Sequence, residues 1–175
     1  VDHRDHVGLI REGVLGGGTT WADLGSGSGA FTLALADLLG PSGSIHTVDR
    51  DRRALQVQLR ALRDAFPSVG VTPLVANFTT PLELPPLDGI VMANSLHFER
   101  DKLAVLRLVR GYLRPAGRLV LVEYDADKGN PWVPFPLSFR TWTRLAAEAG
   151  FRDTARLASV PSRFLGSIYS ALSVR

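Results

Sequence analysis

Apolar and polar positions follow two rhythms along this chain, and the rhythms take turns. Short apolar runs that suit buried strands stand at "TTWADL" (19–24), "SIHTV" (44–48), "VTPLVA" (71–76), "DGIVMAN" (88–94) and "RLVLVEY" (118–124). Around them lie stretches with the three- and four-residue spacing of amphipathic helices: "HVGLIREGVL" (6–15), "AFTLALADLL" (30–39), "RRALQVQLRALRDAF" (52–66), "RDKLAVLRLVRGYL" (100–113) and "LSFRTWTRLAAEAG" (137–150). The helix over 52–66 has the clearest pattern: Leu55, Leu59, Leu62 and Phe66 share a stripe, while Arg53, Gln56, Arg60 and Arg63 face away. The turns "GPSG" (40–43), "PSVG" (67–70) and "RPAG" (114–117) end elements. Ser138 is placed as an N-cap and Gly150 as a C-cap. Pro73 lacks the N–H that a central strand needs, so its strand belongs at a sheet edge or starts late.

Strands alternating with helices predict an α/β fold, a parallel sheet covered by helices. The tail departs from the alternation. "FRDTARLASVP" and "RFLGSIYSALSV" read as two strands with no helix between them, an antiparallel hairpin added to the sheet. A length of 175 residues favours one domain, 1–175, opened by a short helical segment.

Composition narrows the function classes. Hydrophobic residues make up 45% and charged residues 21%, so a full core is expected. No apolar run approaches the roughly 20 residues of a span, and no membrane partner is expected. No secretory signal is visible at Val1. The absence of cysteine excludes disulfides and thiolate chemistry and is compatible with the cytoplasm, the expected location. The net charge of +3 is dispersed, with one small cluster at Arg50, Arg52 and Arg53. That reads as solvated surface and argues against a nucleic-acid stripe. No His, Asp and Glu cluster has metal-ligand spacing, and His3 and His6 read as surface or lid residues.

The segment "WADLGSGSGAF" (21–31) passes from strand through three glycines into helix. Such a loop lets backbone approach a ligand at the helix start. Gly25, Gly27 and Ala30 also satisfy the dinucleotide pattern G-x-G-x-x-A, so the glycines alone leave nicotinamide or flavin dinucleotides and S-adenosylmethionine both open. Asp49 ends the second strand about twenty residues on, where a carboxylate can accept both ribose hydroxyl protons. The alternative is a helix-capping aspartate. Arg50 would lie over an adenine face or in solvent.

From here the sequence resembles the class I S-adenosylmethionine-dependent methyltransferases, roughly from His6 to Val174. "ADLGSGSG", "HTVDRD", "VANF", "GIVMANSLHF", "GYLRPAGRLVLVEY" and "LAAEAGF" are similar to that family's landmarks, in order and in spacing. The resemblance implies a three-layer Rossmann-like fold with a seven-stranded, mostly parallel sheet in the order 3-2-1-4-5-7-6, strand seven antiparallel. It implies that Asp23 helps hold the methionine ammonium, directly or through water. Gly25, Ser26, Gly27 and Gly29 would line the methionine and ribose, and Asp49 would grip the ribose. Asn77 would meet the adenine amino group, with Phe78 nearby. Asn94 would reach the methionine end. Asn77 stands where aspartate is commoner, and its amide oxygen can still accept a hydrogen bond.

Methyl transfer is an in-line displacement that asks the protein mainly to align donor and acceptor. A general base helps when the acceptor loses a proton. His97, just past the fourth strand, is the foremost candidate, and a capping or packing histidine is the other reading. Glu123 and Tyr124, with Asp125, end the fifth strand at the same carboxyl edge, where open α/β sheets bind ligands. Trp132 and Phe135 in the loop 125–136 would make an apolar lid or pack on the sheet edge. The leading expectation is methylation of a small-molecule acceptor. The alternatives are an RNA or protein methyltransferase, a non-catalytic S-adenosylmethionine-binding subunit, and a nicotinamide enzyme.

Overall fold

A computed structural model of the chain describes residues 2–175. The elements are α1 (His3–Val14), β1 (Thr20–Leu24), α2 (Ala30–Leu39), β2 (Ser44–Asp49), α3 (Arg52–Ala65), β3 (Gly70–Val75), β4 (Leu87–Ala93), α4 (Lys102–Tyr112), β5 (Leu113–Tyr124), α5 (Phe139–Glu148), β6 (Arg152–Pro161) and β7 (Ser167–Val174). The strands form one seven-stranded sheet in the order β3-β2-β1-β4-β5-β7-β6. β1 to β5 pair in parallel, and β7 runs antiparallel to both of its neighbours.

The period-2 pattern of each strand splits the core between the two faces of the sheet. Trp21, Val91, Val120 and Val122 pack with α1, α2 and Leu62 of α3. Their neighbours Ala22, Ile90, Met92, Leu119 and Leu121 pack on the other face with Val105, Leu106 and Val109 of α4 and Trp142 and Ala146 of α5. A sheet buried on both sides explains why its central strands read as nearly continuous apolar runs.

The strand containing Pro73 is the edge strand, as the missing N–H requires. Four local expectations shift. α1 begins earlier than residue 6, because Asp2 and Asp5 exchange hydrogen bonds in a capping box. "RPAG" is not only a turn: Leu113 already pairs with Leu87, and the strand bulges until Arg118 meets Gly89. Ser138 does cap α5, but its C-cap is Ala149; Gly150 follows at φ +90°, the left-handed position just beyond. In α3 the buried side chains are Leu55, Gln58 and Leu62, so a glutamine shares the stripe, and Leu59 and Phe66 are half-buried.

Candidate cofactor and acceptor site

The parallel strands β1, β2, β3 and β4 all deliver their carboxyl ends to one edge, and a cavity of about 370 Å³ lies there. Its wall holds Gly25, Gly27, Asp49, Arg50, Asn77, Phe78 and Asn94, all expected from the sequence. It also holds Asp51, Ala76, Ser95, Phe98 and Glu99, which were not expected. Asp51, Ala76, Ser95 and Phe98 lie inside the segments "HTVDRD", "VANF" and "GIVMANSLHF", and Glu99 directly follows the last. Adjacency along the chain was the signal that could have found them.

The glycine loop is held by β2. The N–H groups of Gly25 and Ser26 donate to the Val48 carbonyl at 2.8 and 3.1 Å. The Gly27 N–H donates to Asp49 Oδ2 at 2.7 Å. Three successive N–H groups are therefore consumed inside the protein. A dinucleotide loop needs such groups free to meet the pyrophosphate, so this loop is a wall and not an anion cradle.

The glycines differ in purpose. Gly27 (φ +53°) has nothing within 4 Å of where a Cβ would stand, which is open space on the cavity side. A Cβ on Gly25 (φ +77°) would come within 2.5 Å of Ser95 Cβ. Gly29 does not line the cavity: a Cβ there would lie 2.3 Å from Gln58 Cγ, so Gly29 makes room for a buried side chain of α3. Ser26 also stays off the wall, its hydroxyl 2.7 Å from Thr47 Oγ1.

Asp49 receives the Gly27 N–H on one oxygen and the Asp51 N–H on the other, at 2.8 Å. Each oxygen keeps a second lone pair for a ligand hydroxyl. Asn77 Oδ1 accepts the Thr79 N–H at 3.0 Å, a turn contact that also leaves one lone pair. Asn94 sits at φ +52° with its Oδ1 buried and unpartnered, a group short of a donor beside the cavity. Asp23 lies behind the loop, fully buried, and accepts the Thr32 hydroxyl proton at 2.6 Å. Burial pushes its carboxyl up to about 7, against the pull of that hydrogen bond and with help from the charge of Asp49.

The three acceptor-side candidates form one cluster next to the cavity but off its wall. His97 and Glu123 are both buried, with His97 Nδ1 2.8 Å from Glu123 Oε2. The His97 backbone N–H donates to Glu123 Oε1 at 3.1 Å, and the Tyr124 N–H to Oε2 at 3.3 Å. A carboxylate only accepts, so Nδ1 carries a proton, and in the neutral ring it is Nε2 that presents the lone pair. Only 4% of the His97 side chain is exposed. The Tyr124 ring stands edge-on to the imidazole at 5.5 Å, and Phe98 lies 4.3 Å from it on the cavity side. Of the lid pair, Phe135 packs: its N–H donates to the His97 carbonyl at 2.9 Å and Arg100 stacks on its ring at 5.0 Å. Trp132 remains 72% exposed. Among the described residues no cluster could hold a metal ion, and no helix is long and apolar enough to cross a membrane.

A Rossmann-like sheet closed by an antiparallel seventh strand, with a glycine loop after β1 and an acidic residue ending β2, is the class I S-adenosylmethionine-dependent methyltransferase fold. Residues 15–154 match the sequence profile of the family described as a methyltransferase domain, and the chain belongs to that family. It is 31% identical over 110 residues to a ubiquinone/menaquinone biosynthesis C-methyltransferase of Pasteurella multocida, covering 62% of this chain and 41% of that one. It is 34% identical over 128 residues to an arsenite methyltransferase of Aquipseudomonas alcaligenes, covering 69% of this chain and 37% of the other. The chain thus spans less than half the length of these relatives. A structure of a SAM dependent methyltransferase from Aquifex aeolicus superposes with a TM-score of 0.75 at 21% identity, covering 97% of this chain and 89% of that one. The YcgJ protein of Bacillus subtilis superposes at 0.78 with 13% identity and covers 99% of each chain. These two likenesses speak for the fold.

Proposed function

We propose that this chain methylates a small-molecule acceptor, with S-adenosylmethionine as donor, in the cytoplasm. The observation that carries the reading is the cavity at the sheet's carboxyl edge, with its spent loop N–H groups, open Gly27 and acidic Asp49. Bound there, S-adenosylmethionine supplies a methyl group on a sulfonium leaving group. Asp49 would hold the ribose hydroxyls on its spare lone pairs. Asn77, Phe78 and Arg50 would hold the adenine. Asn94 Oδ1 would accept from the methionine ammonium, and Asp23 behind the loop would favour that cation through its charge. Gly25 and Gly27 let the backbone approach.

On the acceptor side, His97 is the general base, through Nε2. Glu123 is a positioning residue: three N–H groups occupy its carboxylate, and it holds the imidazole in one tautomer. Tyr124 and Phe98 fix the ring between them. The matched relatives, named for C-methylation in quinone biosynthesis and for arsenite methylation, support a small acceptor. Calorimetry tests the cofactor. S-adenosylhomocysteine should bind and NAD should not, and failure of both at millimolar concentration overturns the reading. Strongly salt-dependent RNA affinity would overturn the small-molecule acceptor.

A further inference from the structure

Beneath the glycine loop a file of polar groups runs from Ser26 to Asp23, and its middle members, Thr47, Gln58 and Thr32, are buried and used by none of the steps above. Thr47 Oγ1 of β2 is 2.7 Å from Ser26 Oγ and 2.6 Å from Gln58 Oε1. Gln58 Nε2 is 2.9 Å from Thr32 Oγ1 and 3.5 Å from the Gly27 carbonyl oxygen. Thr32 Oγ1 is 2.6 Å from Asp23 Oδ2. Gln58 itself is wholly buried.

The direction of each bond follows from proton counting, because a hydroxyl has one proton to give. Asp23 Oδ2 accepts from the Thr32 hydroxyl, so the Thr32 proton is spent there. Thr32 oxygen then accepts from the Gln58 amide, which orients that amide with Oε1 toward Thr47. Oε1 only accepts, so the Thr47 proton is spent there. Ser26 must therefore donate to Thr47. The result is a single relay, Ser26 to Thr47 to Gln58 to Thr32 to Asp23, with the second Gln58 N–H aimed at the Gly27 carbonyl. Only a carboxamide, with an acceptor and two donors on one plane, can occupy the centre.

Gly29 shows that the loop is built around this side chain, since a Cβ at 29 would overlap Gln58 Cγ, Cβ and Cδ at 2.3, 3.0 and 3.1 Å. An apolar residue would fill the same volume but remove the donor to Thr32 and the acceptor for Thr47, leaving Thr32 only Asp23 and Thr47 only Ser26. We propose that Gln58 is a positioning residue for cofactor binding: from α3 it grips Ser26 through Thr47 and Gly27 through its carbonyl, and so holds the loop in the shape that offers Gly25 and Gly27 to the cavity. The proposal rests on the S-adenosylmethionine reading for its ligand but not for the loop geometry.

Two variants test it. Gln58→Met keeps the volume and removes the polar groups. Thr47→Val cuts the relay one link away with a side chain suited to a strand. In the ligand-free proteins, amide hydrogen exchange over residues 25–29 should speed up by about tenfold, and the Kd for S-adenosylhomocysteine should rise by about the same factor, the scale of one to two lost hydrogen bonds. A filler role would lower Tm while leaving loop exchange and Kd within twofold of wild type. That result in either folded variant overturns the proposal, and if Gln58→Met does not fold, Thr47→Val decides alone. If the wild-type protein fails to bind S-adenosylhomocysteine, the cofactor reading falls while the exchange measurement still judges the role of Gln58.

Discussion

The carboxyl edge of the sheet has two halves built on different principles. The half over β1, β2 and β3 is shaped by backbone: glycines at positive φ, loop N–H groups tied to Val48 and Asp49, and a polar relay beneath. Its parts come from one βαβα stretch, so local spacing specifies most of them. The half over β4 and β5 is shaped by side chains brought from separate segments. His97 and Glu123 are 26 residues apart in sequence, and the Phe135 that buttresses His97 comes from a third place. On the proposed function, the first half is the socket for the cofactor. The second half is the acceptor side, where side chains and loop can differ without disturbing that socket.

The sharpest break in the socket concerns Asp23. Burial raises its folded-state pKa to about 7, above the unfolded value, so the folded protein holds this proton more tightly. Its contribution to stability is complete below the unfolded pKa and is lost as pH rises through about 7. Asp23→Asn removes the titration. Between about pH 4 and pH 8 the difference in unfolding free energy should move in the variant's favour by about 4 kcal/mol, read from urea melts across that range. A pH-independent difference would show that Asp23 does not titrate there.

The assembly half breaks at its base. His97→Ala should cut kcat by about 10²–10⁴-fold, the range for a lost general base, and leave the Kd for S-adenosylhomocysteine within twofold. Loss of binding instead would place His97 in the socket and erase the distinction. A smaller effect sharpens the socket side: Asp49→Ala should weaken S-adenosylhomocysteine binding by about 1–3 kcal/mol in calorimetry. Unchanged affinity in a folded variant removes Asp49 from the ribose. The smallest effect is at Trp132. With 72% of its surface exposed, Trp132→Ala should change stability by less than about 0.5 kcal/mol, while the KM for the acceptor rises if this side chain covers it. A loss of more than about 1 kcal/mol in a thermal melt would mean that Trp132 packs as core.

Legibility in the sequence follows the same division. That Asp49, Gly25, Gly27, Asn77 and Asn94 would share one edge was legible because each stands at a fixed offset from a strand end, and strand ends are visible in the hydrophobic rhythm. That Gly29 would lie off the cavity was not, because the side chain it makes room for, Gln58, lies a helix away. Gln58 stands at the spacing of the buried stripe, three past Leu55 and four before Leu62, but its polar side chain masked that position. Glu123 was legible as a residue at the carboxyl edge. Its orientation toward His97 was not, since strand position sets the face of a side chain and only the neighbouring strand's loop decides what it meets. Likewise, nothing in "RPAG" announces that pairing with Leu87 begins before the turn.

The chain's own pattern determined the order of elements, the edge position of the Pro73 strand, the terminal hairpin and the strand-end residues that line the cavity. Those depend on spacing and backbone preference, which are local and additive along a sequence. Tertiary structure alone decided that Gln58 meets Thr47 and Thr32, that the loop N–H groups are spent on Val48 and Asp49, that Glu123 meets His97, and that Trp132 stays exposed while Phe135 packs. Each of these is a contact between groups distant in sequence. Such contacts exist only after the sheet has set the register that brings the two groups within hydrogen-bond reach.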